Sequence, residues 1–313
     1  MNSKQWSKIE IEKLMSLRLD GLTWSEISSA MGISANCARK AFYRYGRDDA
    51  KPHGSVVYFP KILIIDIETT PIISYTWGTF DQNISLNQIL EDWSILSWSA
   101  KWIGSDKIFY KDTRDKKNPR DDSGLLKDIW ELMNDADIIC GQNSQRFDVK
   151  KLNARFILNG LKPPSSYRQI DTLKLAKKHF AFTSNKLEYM SKKLCTSHKK
   201  LDHKEFSGFE LWKECLSGNK KAFNELEKYN IEDVLSTEEL YQKLAPWDSG
   251  INLNVYDENY DTICSCGSKT FHSNGFVYTN LSKMKRFTCT KCGKEHVDKT
   301  NLLSKEKRKT LKK

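Results

Sequence analysis

Two carboxylates stand two residues apart in Ile64-Ile65-Asp66-Ile67-Glu68-Thr69-Thr70-Pro71, where an apolar run ends. On a strand, residues i and i+2 share a face. Burying two acids beside an apolar run is costly unless something neutralises them, and Mg²⁺ prefers carboxylate oxygen and water. One acid alone would serve as an ordinary helix cap. A second segment, Gly141-Gln142-Asn143-Ser144-Gln145-Arg146-Phe147-Asp148, ends a strand, makes a polar turn and opens a helix on Asp148. Alone it reads as a common helix start. A third, Tyr229-Asn230-Ile231-Glu232-Asp233, places a phenol and a carboxylate four apart, on one face of a helix. Together they could hold a metal-bound water; alone they could be a chance surface pair. Elsewhere, Cys264-x-Cys266 and Cys289-x-x-Cys292 form two close pairs with 22 residues between them, each followed by glycine (Gly267 and Gly293). Thiolates on two tight knuckles can complete a tetrahedral Zn²⁺ site. His272 and His296 are spare ligands, but four cysteines already fill such a site. Cys37, Cys140, Cys195 and Cys215 are scattered, as buried reduced thiols are.

These groups need elements to place them. Ile62–Ile67 is a continuous apolar run, as in a strand buried on both faces. Strands are also expected over Ser94–Trp102, Lys107–Tyr110 and Ile138–Cys140. Helices are expected over Gly124–Asn134, Phe147–Asn159, Asp171–Phe180, Lys186–Leu194, Phe209–Leu216 and Lys220–Leu244. Strands first and helices later predict an α/β (α+β) domain, a mixed sheet flanked by helices, over 56–248. Residues 1–47 predict three short helices, with Thr23 and Ser34 as caps and Gly32 as a stop. Residues 48–55, with Pro52 and Gly54, read as a linker. Residues 255–300 hold the cysteine pairs and short β-like pieces, Thr270–Tyr278 and Arg286–Thr288. Residues 301–313 carry six basic groups and one acid, a tail expected to lack structure when free.

The chain of 313 residues has 39% hydrophobic and 29% charged residues, enough apolar material for a sizeable core. Its mean hydropathy is −0.62. No apolar run approaches a bilayer span, which excludes a transmembrane helix and predicts no membrane partner. The opening MNSKQWSKIE lacks the apolar centre of a signal peptide, so the expectation is a chain that is not secreted. Reduced cysteines then favour metal over disulfides. The net charge of +11 is unevenly spread: +2 over 1–50, +2 over 51–250 and +7 over 251–313. Such a basic end suits a polyanion, with a solubilising surface as the alternative.

Order and context combine the three acidic segments. They resemble the DEDD superfamily of 3′→5′ exonucleases, with the DnaQ-like ribonuclease H fold, over roughly residues 58–245. That family has D-x-E at the end of the first strand, then N-x-x-x-F-D, then Y-x-x-x-D on a late helix. The matching positions are Asp66/Glu68, Asn143/Phe147/Asp148 and Tyr229/Asp233, at intervals of 82 and 85 residues. Tyr229 is similar to the DEDDy branch; the other branch has a histidine near the last Asp. The resemblance implies two Mg²⁺ (or Mn²⁺) ions, with Asp66 bridging both. Glu68 and Asp233 would hold the ion that activates water, Asp148 the second, and Tyr229 would orient the water. Asn143 and Phe147 would shape the turn and pack beside the terminal nucleotide.

The flanking segments carry resemblances of their own. Leu22-Thr23-Trp24-Ser25-Glu26-Ile27 through Met31-Gly32-Ile33-Ser34 resembles a Myb-like or homeodomain-like helix-turn-helix. Asn36, Arg39, Lys40 and Arg44 would face bases or phosphates, and a small protein-interaction trihelix is the alternative. Trp6, Trp24, Phe42, Trp93, Trp98 and Trp102 read as core. The cysteine region resembles a zinc ribbon with one structural Zn²⁺, although its first pair is C-x-C rather than C-x-x-C. Lys283, Lys285, Arg286, Lys291 and Lys294, with Phe276, Tyr278 and Phe287, could form a basic stacking surface. The expected partner is nucleic acid, DNA by virtue of the N-terminal module, with a DNA polymerase or other replication proteins behind it. The expected setting is a bacterial or virus-infected host cytoplasm. A structure-specific endonuclease or integrase-like nuclease, and a non-catalytic DNA-binding regulator with a vestigial core, are the alternative readings.

Overall fold

In the computed structural model, which describes residues 6–20, 22–45, 60–198, 205–256 and 262–312, three helices come first. α1 (Lys8–Leu19) is capped by Ser7 and α2 (Trp24–Met31) by Thr23. In each, the cap hydroxyl accepts from the third helical amide, and the glutamate there (Glu10, Glu26) accepts from the cap backbone. Gly32 stops α2 at φ 63°, a left-handed conformation that glycine adopts freely. α3 (Ala35–Tyr45) follows, with Ser34 Oγ accepting from the Cys37 amide at 3.2 Å. Leu14, Trp24, Ile27, Ala38 and Ala41 form the shared core, with Trp6 and Phe42 packed against it. The linker expected at 48–55 lies outside the described residues.

The central domain runs β1 (Ile62–Thr69), β2 (Ile73–Ser74), β3 (Ile89–Glu91), β4 (Ile95–Trp102), β5 (Ile108–Asp112), α4 (Ser123–Asp135), β6 (Ile138–Gly141), α5 (Asp148–Leu158), β7 (Arg168–Asp171), α6 (Thr172–His179), α7 (Leu187–Leu194), α8 (Glu210–Leu216) and α9 (Lys220–Leu244). Five strands form one mixed sheet in the order β5-β4-β1-β6-β7. β4 is antiparallel to β1 and β5; β6 is parallel to β1 and β7. β1 is central and its side chains alternate between two layers. Ile62 and Ile64 pack with residues of α6, α7 and α9, whereas Leu63, Ile65 and Ile67 pack with those of α4 and α5. Continuing that alternation puts Asp66 and Glu68 on the α9 side. α9 presents a stripe at i, i+3 and i+4, including Leu226, Asn230, Asp233, Val234 and Thr237, to the sheet. Trp98 is buried in the other layer, where Trp93 and Trp102 lie partly buried.

A three-stranded antiparallel sheet, β8 (Phe271–Tyr278), β9 (Lys283–Cys289) and β10 (Glu295–Val297), follows in the order β10-β9-β8, and α10 (Lys305–Thr310) comes last. Four strands escape the sequence pattern. β7 has one apolar residue, Ile170, after Arg168 and Gln169, while β2, β3 and β10 span two or three residues each. The basic tail also departs from expectation. Ser304 caps α10 by accepting from the Lys307 amide, and Lys307, Arg308 and Lys309 occupy the last turn, where the helix dipole favours cations. Among the described residues no helix is long and apolar enough to cross a membrane.

Candidate active site

The end of β1 brings Asp66 and Glu68 to the buried Asp233 of α9. One carboxylate oxygen from each lies within 4.8 Å of the others. Asp148 is outside that trio but lines the same cleft of about 590 Å³, together with Tyr229, Asn143 and Phe147. Every acid and the phenol singled out from sequence therefore converge on one cavity. Three carboxylates this close repel one another unless a cation lies among them, and an all-oxygen donor set suits Mg²⁺ or Mn²⁺. The residues present fit such an ion.

Asp148 is 3% exposed, and its Oδ1 accepts from the Ile67 amide at 3.0 Å. That bond ties the start of α5 to β1. A carboxylate has lone pairs to spare, so the bond does not preclude ligation. Burial pushes the Asp148 pKa up to about 7, the Ile67 amide opposes this, and the charges of Asp171 and Asp233 add to it.

The turn from β6 into α5 depends on a close approach. A Cβ on Gly141 would lie 2.7 Å from Ser144 Cβ and 3.0 Å from the Ile65 carbonyl oxygen, so only glycine lets the turn settle against β1. Asn143 then adopts φ 60°, a left-handed conformation that asparagine tolerates. Asp171, at the end of β7, holds the turn from the other side. Its carboxylate accepts from the amides of Asn143 at 3.0 Å and Gln145 at 3.3 Å while also capping α6 through Leu173 and Lys174. Phe147 is left 38% exposed at the cleft, an apolar ring available for stacking. Lys177 and Lys186 line the wall contributed by α6 and the approach to α7. Tyr229 is half-buried, its ring edge-on to Trp212 of α8 at 6.4 Å.

Asp171 and Asn230, which brace the cleft, do not stand out in the sequence, and neither do Lys177 and Lys186. Asp171 could have been recognised as a polar strand end serving as a helix cap. Asn230 sits within the Tyr229-x-x-x-Asp233 string but carries no charge to draw notice. Its amide donates to Asp66 Oδ2 at 2.5 Å and to the Asp66 carbonyl at 3.2 Å.

The four C-terminal cysteines also converge. Their sulfurs lie within 4.8 Å of one another, with Cys264–Cys292 at 3.4 Å and Cys266–Cys289 at 3.6 Å. These separations are far beyond a disulfide bond of ~2.04 Å. They approach the edge of about 3.8 Å expected for a tetrahedron with Zn–S of ~2.3 Å. C-x-C therefore serves as a knuckle here: Gly267 at φ 82° turns the chain, and its amide donates to the Cys264 carbonyl at 2.8 Å. In the second knuckle the Gly293 amide donates to the Cys289 carbonyl at 3.0 Å. Burial opposes ionisation of Cys289, but backbone amides of Cys292 and Lys291 outweigh it and bring that thiol down to about 6, whereas burial pushes Cys264 up to about 12. The donor set fits Zn²⁺ with no position left for substrate. His272 and His296 are outside the cluster, His296 packing edge-on against Phe271 at 4.9 Å.

The expected nucleic-acid contacts are distributed unevenly. Lys285 is exposed on β9, and Lys283 Nζ lies over the Phe276 ring at 4.1 Å. Arg286 is half-buried and engaged by its neighbouring strands, donating to the Asn274 carbonyl at 2.7 Å and pairing with Glu295 at 3.4 Å. Lys294 is buried rather than on the basic surface, because its stem crosses the first knuckle to reach Ser265 Oγ at 3.2 Å. Arg39 reaches the Asn134 carbonyl of α4 at 3.5 Å, beside an Arg18–Asp135 approach of 3.9 Å. The side chains of Asn36, Lys40 and Arg44 lie outside the described residues.

No curated protein matches the chain. Residues 96–245 match the family model described as the RNase_H superfamily. The match runs from β4 through α9, so it contains Asp148, Tyr229 and Asp233, while Asp66 and Glu68 precede it on the strand paired with β4. The central domain has a ribonuclease H-like fold, and its superfamily match supports a nuclease-type function.

Proposed function

We propose that this chain is a metal-dependent 3′→5′ exonuclease that hydrolyses phosphodiester bonds of DNA and releases nucleoside monophosphates. The carrying observation is the convergence of Asp66, Glu68 and Asp233 within 4.8 Å in a cleft that Asp148 and Tyr229 also line. Asp66, Glu68 and Asp233 would hold one divalent cation, and Asp66 with Asp148 a second. Such ions supply acidity to an attacking water and neutralise charge that builds on the phosphate. The protein does the rest. Tyr229 directs the attacking water by its hydroxyl. Phe147 stacks on the terminal base, and the turn through Asn143 shapes the end of the cleft, which favours a strand terminus over a continuous duplex. Lys177 and Lys186 offset the phosphate charge opposite the acids.

The Cys264/Cys266/Cys289/Cys292 cluster holds a structural zinc. With α10 and Lys283, Lys285, Phe276 and Tyr278, it grips nucleic acid away from the cleft. The three N-terminal helices are read as a DNA-holding helix-turn-helix, which favours DNA over RNA and suits a replication or proofreading setting.

The test uses 5′-labelled single-stranded and duplex DNA and RNA, and circular DNA, with Mg²⁺ or Mn²⁺. A metal-dependent ladder shortened from the 3′ end, with circular DNA intact, is expected. Nicking of the circle would favour an endonuclease, and binding without degradation would favour a regulator with an idle core.

A further inference from the structure

Asn230 is fully buried at the junction of β1, β4 and α9. Its side-chain amide makes three bonds. Nδ2 donates to Asp66 Oδ2 at 2.5 Å and to the Asp66 carbonyl at 3.2 Å. Oδ1 accepts from Ser97 Oγ of β4 at 3.0 Å. The orientation of the amide is forced, because both Asp66 atoms can only accept while the Ser97 hydroxyl can donate. Ser97 in turn stands opposite Glu68 in the β1–β4 register. Asn230 also lies one residue after Tyr229 and one helical turn before Asp233. A single side chain thus engages the central carboxylate of the cleft and docks the helix that carries the other two groups.

We infer that Asn230 is a positioning residue for the acidic metal centre. Its donor occupies one lone pair of Asp66 Oδ2, which fixes the rotamer of that carboxylate and turns its remaining lone pairs toward Glu68 and Asp233. A neutral amide does this without adding charge to an already anionic cleft. An apolar residue would remove this donor from Asp66, and an acid would repel it. Ser97 is the outer link, because its hydroxyl keeps the amide from rotating. The inference rests on the reading of the acidic cleft as a metal centre.

The two can be separated by measuring Mn²⁺ binding to the zinc-loaded full-length chain by calorimetry, with Asp66→Ala as baseline. The variants are Asn230→Leu, of nearly equal size and without a donor, and Ser97→Ala. Removing such an outer partner is expected to weaken Mn²⁺ binding by about 10- to 100-fold in Asn230→Leu, and by less in Ser97→Ala. The rise in Tm produced by Mn²⁺ should shrink in parallel, beyond any fall in the metal-free Tm. A purely structural clamp would lower the metal-free Tm and leave the Mn²⁺ affinity alone, which would overturn the inference. If Asn230→Leu does not fold, Ser97→Ala decides by the same criterion. Wild-type protein with no Mn²⁺ binding beyond that of Asp66→Ala would overturn the metal-centre reading itself.

Discussion

The acidic cluster and the cysteine cluster are built on opposite principles. The acids stand around the end of the central strand of a five-stranded sheet covered on both sides, where β1 alone contributes Leu63, Ile64, Ile65 and Ile67 at 3% exposure or less. Their supports are protein groups: the Ile67 amide on Asp148, Asn230 on Asp66, and Asp171 beneath the turn through Asn143. The cysteines have no such frame. From residue 262 onward, the buried apolar residues among those described are Ile263, Cys264 and Cys289. A sheet with so small a core would depend on a metal held by the four cysteines to fold. The fold braces the acidic cluster; the cysteine cluster, once loaded, would brace its fold.

The largest effect is expected at Asp66. Asp66→Ala should reduce hydrolysis by on the order of 10³-fold, since cation stabilisation of a transition state is worth several kcal/mol at ~1.4 kcal/mol per tenfold. Its Tm should stay within a few degrees of wild type. A large loss of Tm would mean that the cleft is not self-supporting. Cys289→Ser should do the reverse. Residues 262–300 should lose amide-exchange protection, and zinc content should fall, while the thermal transition of the sheet domain persists. Retained protection without zinc would show that the small sheet needs no staple.

A smaller effect separates holding from cutting. Deleting 304–313 removes six basic groups and should reduce the log–log salt slope of DNA binding by as much as about five, with cleavage of a short oligonucleotide at saturation unchanged. An unchanged slope would remove α10 from the DNA contact.

The least effect concerns the frame itself. Glu239 of α9 caps the segment after α7. Burial would raise its pKa, but amides of Thr196, His198 and Ser197 and the Thr196 hydroxyl bring it down to about 2. A depressed carboxylate stabilises the fold above its ordinary range near 4.5 and loses that effect as pH falls toward about 2. Glu239→Gln should therefore lower Tm by a few degrees at pH 7, with the gap closing in acid. A gap that is constant with pH would mean that the charge of Glu239 contributes nothing.

The site was more legible than its supports. Asp66 and Glu68 follow an apolar run whose period fixes their face, and Tyr229 and Asp233 lie on a helix whose bounds, Lys220–Leu244, follow from its apolar period. Spacing does not reveal the neutral donor between them, because an amide gains meaning only once Ser97 and Asp66 lie against it. β7 was hidden for a similar reason. A four-residue strand with one apolar side chain owes its conformation to pairing with β6 and not to its own sequence. The basic groups were the least legible. Composition counts Arg286 and Lys294 with the free cations, but only tertiary contact shows that one is engaged by Asn274 and Glu295 and the other is buried.

Anomalous diffraction from crystals soaked in Mn²⁺, recorded at the manganese and zinc edges, tests the division most directly. Two manganese peaks about 4 Å apart are expected in contact with Asp66, one near Glu68 and Asp233 and the other near Asp148, with one zinc peak among the four cysteine sulfurs. Manganese absent from the carboxylates, or zinc found there with the cysteines empty, would contradict it.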